Sequence, residues 1–236
     1  MATYYRRLAW ASTRYALLAD LALYLIGSKL KAKGSLGGRF ADALTYQVLA
    51  LSALRRFKAE GNRAEDLPLV AYSCEYALAK IQDAFEGIHA NFDAPVVGWW
   101  LRGPSALFLR LNPLSRGPSD KLIPKVAGSI QLMNEQYKRI TDGIAPVDEN
   151  DPGMGRLIKA FRLHTEVEPI KKKIYKAQRA RELPRGMAYD LTELALSSKV
   201  ITQSEAALMK DANAAAMAAI EVDVFKPEDY FLDVRS

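Results

Sequence analysis

Apolar residues recur every three or four positions through the first third of the chain, the spacing that puts them on one face of an α-helix. Leu8, Ala11, Tyr15, Leu18, Ala22 and Leu25 make such a stripe and predict a helix over about 4–33, ended by Gly34, Gly37 and Gly38. A second helix over about 39–60 shows Leu44, Val48, Leu51 and Leu54 as its inward face and closes on Arg55, Arg56 and Lys58, cations that suit a helix C-terminus. Asp66-Leu67-Pro68 opens a third, because proline is tolerated in a first turn, and Ala71, Leu78, Ile81 and Phe85 carry its apolar face towards Asn91. Long helices joined by short turns imply antiparallel packing.

The pattern then breaks. Pro95, Gly98, Gly103, Pro104, Pro113, Gly117 and Pro118 punctuate the chain too often for a long element, which predicts short helices and loops. Within this stretch lies the most hydrophobic segment, with Val96, Val97, Trp99, Trp100 and Leu101 followed by Ala106, Leu107, Phe108 and Leu111. Adjacent tryptophans cannot share one direction on a helix, so one of the pair is expected at a surface or interface. Pro118-Ser119-Asp120 is expected to cap a helix reaching about Met133, and Thr141-Asp142-Gly143 to end another. A second helical section begins at Asp151-Pro152 and keeps helical spacing through Leu157, Ile158, Phe161, Ile170, Ile174 and Ala177, with Pro169 expected to kink or break it. Thr202-Gln203-Ser204-Glu205 fits a capping box opening an alanine-rich helix to Ile220. The tail beyond, with Phe225, Tyr230 and Phe231, is expected to dock. These readings give an all-α protein: an antiparallel long-helix bundle over 1–92, short helices and loops over 93–150, and a smaller helical section over 151–236, all expected within one compact domain. No fixed-period repeat or low-complexity tract is visible.

Composition narrows the class. With 236 residues the chain is long enough for a substantial core, and its size permits a fragment of a larger protein. Cys74 is the single cysteine and has apolar neighbours at helical spacing, which excludes a disulfide framework or a cysteine metal site and suits the cytoplasm. The basic start lacks a cleavage-site pattern. A spanning helix there would bury Arg14 and Asp20, at roughly 2.5 to 3.5 kcal/mol each, so a bundle helix is the better reading. A net charge of +6 would suit an acidic partner, yet it is spread along the chain and reads as a surface bias and not as a nucleic-acid site.

Candidate chemistry is sparse. His89 and His164 lie far apart without ligand or acid partners and read as structural or solvent-facing. Gly153-Met154-Gly155 is a short nest-like candidate for phosphate whose plainer reading is helix initiation. Glu166 and Glu168 diverge on a helix, while Asp148, Glu149 and Asp151 belong to a wet loop. The run Lys171-Lys172-Lys173 with Lys176, Arg179, Arg181 and Arg185 reads first as a solvated helix face and second as a contact for anionic lipid or phosphate. Trp99, Trp100, Lys171, Lys172, Lys173 and Lys176 are thus the candidate partner or membrane contacts, with no catalytic, cofactor-binding or metal-ligating residue assigned.

Several segments, in order and spacing, resemble the C-terminal domain of bacterial acyl-CoA dehydrogenases of the long-chain β-oxidation type. They are 36–60, with Arg39-Phe40-Ala41-Asp42-Ala43-Leu44 and Ser52-Ala53-Leu54-Arg55-Arg56-Phe57, then Glu65-Asp66-Leu67-Pro68-Leu69-Val70 and Pro118-Ser119-Asp120-Lys121-Leu122. Farther on come Glu168-Pro169-Ile170-Lys171-Lys172-Lys173-Ile174, Glu205-Ala206-Ala207-Leu208 and Ala219-Ile220-Glu221-Val222-Asp223. Val224 departs from the family's usual second acidic residue, and the end at Ser236 comes earlier than in many relatives. The resemblance implies a full-length enzyme that oxidises fatty acyl-CoA to trans-2-enoyl-CoA, with a glutamate removing the α-proton and FAD accepting the β-hydride. No counterpart of the flavin-contacting segments or the base-bearing stretch stands in this sequence, so the chain is expected to bind no FAD alone. It is expected to be a truncated or excised fragment, or to work beside dehydrogenase domains encoded elsewhere. Its implied partners are that catalytic module, the fatty acyl-CoA substrate of the full enzyme, a second copy of itself and, peripherally, the inner membrane, with no nucleic acid. The alternative is a free-standing helical interaction or peripheral membrane-binding protein.

Overall fold

The computed structural model describes residues 1–151 and 153–220, so the aromatic tail and the end of the Ala219–Asp223 segment lie outside the described residues. Every regular element among those residues is helical. The chain divides into two compact units, Met1–Gly128 and Ser129–Ser236.

The first unit is built on three long helices, α1 (Ala2–Leu25), α2 (Gly34–Ala59) and α3 (Leu67–Asn91). The stripe read for α1 holds at Leu8, Ala11, Leu18 and Ala22, all buried; Ile26, just past the helix, takes the place expected for Leu25. Gly34, Gly37 and Gly38 do not end this helix. A 3₁₀ segment over Gly27–Ala32 follows it, and the three glycines form the first turns of α2. The inward face of α2 is also corrected. Leu44, Val48 and Leu51 are 47%, 53% and 45% exposed, whereas Phe40, Ala43, Gln47, Ala50, Leu54 and Phe57 are buried. The short side chains of Ala43 and Ala50 let α2 lie close along α3, its principal neighbour, and Gln47 satisfies its own amide on the Ala43 carbonyl at 3.0 Å. The larger aliphatic residues are left outside.

Helix α3 starts at the Asp66-Leu67-Pro68 junction as expected and buries Cys74, Leu78, Ile81, Phe85 and Ile88. Burial pushes the Cys74 thiol up to about 11 and keeps it protonated. After it the proline-rich middle folds as α4 (Pro95–Trp100), a π-helical turn over Leu101–Ser105 and α5 (Ala106–Leu111). The π turn accommodates Pro104 within continuous helical backbone. Gln82 ties this arm to α3: its amide nitrogen donates to the Leu109 carbonyl at 3.1 Å and to Glu86 at 2.9 Å, and its oxygen accepts from the Leu114 amide at 3.1 Å. Helix α6 (Ile123–Ile130) begins later than the sequence suggested, because a turn over 120–122 precedes it.

In the second unit, α7 (Glu135–Ile140) is capped by Asn134, whose side-chain oxygen accepts from the Tyr137 amide at 2.8 Å. Helix α8 (Met154–Arg179) runs through Pro169 without a break. Pro169 is exposed while Val167 and Ile170 on either side of it are buried, so the missing ladder bond falls towards water and packing holds the helix. Leu163, Val167, Ile170, Ile174 and Ala177 form a core with Ala206, Met209 and Ala212 of α10 (Gln203–Ile220), assisted by Ala195 of the short α9 (Thr192–Ser197), an element that hydrophobic spacing did not reveal. The capping box at Thr202 is present: Glu205 accepts from the Thr202 amide at 2.9 Å, and Thr202 Oγ1 accepts from the Glu205 amide at 3.3 Å.

Candidate contact surfaces

Helix α4 presents its tryptophans because Gly98 lies directly beneath the Phe92 carbonyl, fixing the opposite side of the helix inwards. Trp99 is 66% and Trp100 48% exposed, so both of the pair reach the surface. Val96, Leu107, Phe108 and Leu111 continue exposed apolar side chains along this arm. Together these side chains form an exposed apolar cluster on the first unit.

The four candidate lysines do not form one patch. Lys171 is buried, with its ammonium donating to His164 Nδ1 at 3.0 Å and standing 4.5 Å from the centre of the Tyr189 ring. That contact fixes His164 as a neutral acceptor, and desolvation together with the facing cation keeps its pKa below the ordinary histidine value. Lys172 pairs with Glu168 at 3.7 Å, and Lys173 reaches Glu205 on α10 at 2.5 Å. Lys176 is exposed one turn farther on. Lys171 and Lys173 are thereby tied to other parts of this unit and Lys172 to its own helix, while Arg179, Arg181 and Arg185 farther along are exposed like Lys176.

His89 is a structural tie in the first unit. A carbonyl only accepts, so Nδ1–H donates to the Phe85 carbonyl at 2.7 Å, which leaves Nε2 to accept from the Ser105 hydroxyl at 3.1 Å. Burial holds this ring neutral, lowering its pKa. Glu75 likewise joins elements, accepting from Arg7 at 3.2 Å and from the Ser115 hydroxyl; burial and this carboxylate push the Tyr4 phenol up to about 12. Oε1 thus ties α3 to Arg7 of α1, and Oε2 fixes Ser115 in the loop after α5. No cluster of three or more His, Cys, Asp or Glu side chains able to hold a metal occurs among the described residues.

A pyrophosphate held at a nest needs free backbone donors, and the Gly153-Met154-Gly155 candidate does not supply them. Asp151 Oδ1 already accepts from the Gly153 and Met154 amides, both at 2.9 Å. A Cβ on Gly155 would meet the Asp148 and Glu149 carbonyl oxygens at 2.5 and 2.7 Å, so this glycine is explained by the loop crossing it. The carboxylate caps the helix and repels an anion. The residues present at this site do not fit a pyrophosphate.

Arg14 enters the sequence reading only as an argument against a membrane span. Arg14 sits on the apolar spacing of α1, between Trp10 and Leu18, which is where a cation meets the interior. Among the described residues no helix is long and apolar enough to cross a membrane.

No solved structure matches the chain. The family model described as acyl-CoA dehydrogenase, C-terminal, bacterial type, matches residues 1–225. With that match extending over nearly all of a helical chain whose order of elements agrees with the segments quoted above, the protein belongs to the bacterial-type acyl-CoA dehydrogenase C-terminal family.

Proposed function

We propose that this chain is the noncatalytic helical part of a dehydrogenase that converts fatty acyl-CoA to trans-2-enoyl-CoA, and that it docks by its apolar surface onto the FAD-bearing module. The observation that carries the reading is the Trp99–Trp100 arm, held out from a unit whose core is already filled. The Leu44, Val48 and Leu51 row on α2 offers a second apolar face, suited to the same module or to a second copy of the chain. The reaction itself belongs to the module, which supplies the flavin as hydride acceptor and the carboxylate that takes the α-proton.

Docking is tested by Trp99→Ala/Trp100→Ala. Both side chains are largely exposed, so helicity by circular dichroism stays near that of the parent, while co-sedimentation with the dehydrogenase module, or with liposomes if the arm meets a membrane, weakens. Unaltered co-sedimentation with both refutes the assignment of this arm. A free-standing membrane-surface protein is separated from the module-bound reading by which of the two associations is lost.

A further inference from the structure

A second face of α1 looks into a cavity of about 270 Å³. Trp10, Leu17 and Leu21 line it along α1, and Trp100 and Phe108 close it from the α4–α5 arm, with Ser105 and His89 at its floor. Its walls are almost wholly hydrocarbon and aromatic. Its volume lies near the lower end of small-molecule pockets.

Into this cavity points Arg14. The side chain is half-buried and lies 5.8 Å from the centre of the Phe85 ring. No hydrogen bond or ion pair engages it among the described residues. Desolvation pulls its pKa down without neutralising it, since a guanidinium stays charged across the accessible pH range. His89 offers no compensating charge, because its ring is neutral and both of its nitrogens are committed. The Arg14 nitrogens keep access to water at the cavity's edge, where an incoming anion exchanges that water for a charge-assisted pair. The anion is expected on an apolar body, because apart from Thr13, Ser105 and His89 the lining beside Arg14 is aliphatic and aromatic.

We propose that this cavity binds a single-chain amphiphile bearing a carboxylate, with the head forked on Arg14 and the hydrocarbon chain lying along Trp10, Leu17 and Leu21. The Ser105 hydroxyl, whose proton is given to His89, keeps lone pairs towards the cavity and leaves Arg14 as the group that selects charge. This site is independent of the docking reading, although Trp100 borders both. It is therefore tested on the full chain alone through Arg14, with no dehydrogenase module present.

The full chain is titrated with dodecanoate and with dodecanol, and with a dodecanoate brominated at its far end, which quenches neighbouring tryptophan. Saturable quenching is expected for the brominated acid, with the carboxylate bound about tenfold or more tightly than the alcohol, as a charge-assisted contact implies. Shortening the chain weakens binding about fourfold per methylene. Arg14→Gln abolishes the preference for the acid while leaving alcohol binding in place, and Arg14→Lys retains part of it. Equal affinity of the parent chain for acid and alcohol overturns the proposal without any variant, whether or not Arg14→Gln folds. So does a preference that survives in a folded Arg14→Gln chain. Quenching by vesicles of brominated phosphatidylglycerol with none by the free acid assigns the rim to a lipid surface and likewise overturns it.

Discussion

Replacing Gly98 with alanine sets two ordinary effects against each other at one residue. Gly98 lies inside α4, where alanine is favoured by up to about 1 kcal/mol through helix propensity alone. An added Cβ, however, would stand 2.5 Å from the Phe92 carbonyl oxygen. That oxygen is backbone and cannot swing aside. It accepts from the Ala94 amide at 3.2 Å, the Gly98 amide is itself held by the Ala94 carbonyl at 2.7 Å, and the Phe92 side chain is fully buried. Overpacking of this kind costs about 1–3 kcal/mol, so steric conflict wins and Gly98→Ala is expected to destabilise the first unit by roughly 1–2 kcal/mol net. Gly38→Ala is the control: the residue is exposed in α2 and a Cβ there meets nothing within 4 Å. The same chemical change should stabilise by about 0.5–1 kcal/mol. All three tryptophans, Trp10, Trp99 and Trp100, belong to the first unit, so urea unfolding followed by their fluorescence reads that unit directly. Shifts of the two midpoints in the same direction by similar amounts would refute the reasoning.

Other changes probe the remaining ties. Gln82→Leu strands the Leu109 carbonyl and the Leu114 amide and should cost about 1–3 kcal/mol for each buried group left unpaired, read in the same urea experiment. Ile174→Ala opens the core between α8 and α10 and should cost about 2–5 kcal/mol, with Thr202→Ala costing about 1 kcal/mol through the lost cap; thermal melts followed by circular dichroism rank the two. His89 and His164 both have pKa values depressed below the ordinary 6.5. The unfolded chain therefore binds more protons than the folded one in mild acid. Their stabilising contribution is complete above the unfolded value and is lost as pH falls through the folded ones. Urea midpoints taken from about pH 7 down to about 5 should fall, and His89→Gln should flatten part of that slope; an unchanged slope in the variant contradicts a neutral buried ring.

Helix α3 was legible because its signals agree: an acidic residue, a proline in the first turn and a single unbroken apolar stripe. Helix α2 misled because it is apolar on two sides. Hydrophobicity alone points to Leu44, Val48 and Leu51, yet close approach to α3 selects the smaller Ala43, Gln47 and Ala50, a choice made by interhelical distance. Prolines were overread as breaks, since Pro104 is absorbed by a π turn and Pro169 by an exposed position on a well-packed helix. At the candidate surfaces, Trp99 and Trp100 stand out as a sequence feature and on the structure alike. Lys171 could not be separated from its neighbours by charge, because its burial depends on His164 and on the Tyr189 ring arriving from elsewhere in the chain. Arg14 was hidden for a related reason: a cation on an apolar helix reads as an argument against a membrane span until the cavity before it is seen.

The division of labour between a flavin-bearing module and this helical part is tested most directly by sedimentation velocity of the chain with and without the dehydrogenase module, recorded in the flavin absorption band. The expected result is a chain that sediments alone without flavin absorbance and, when added to the module, moves the flavin-absorbing boundary to a larger species. A boundary that stays where the module alone places it, or a chain that carries flavin absorbance by itself, contradicts the proposed role.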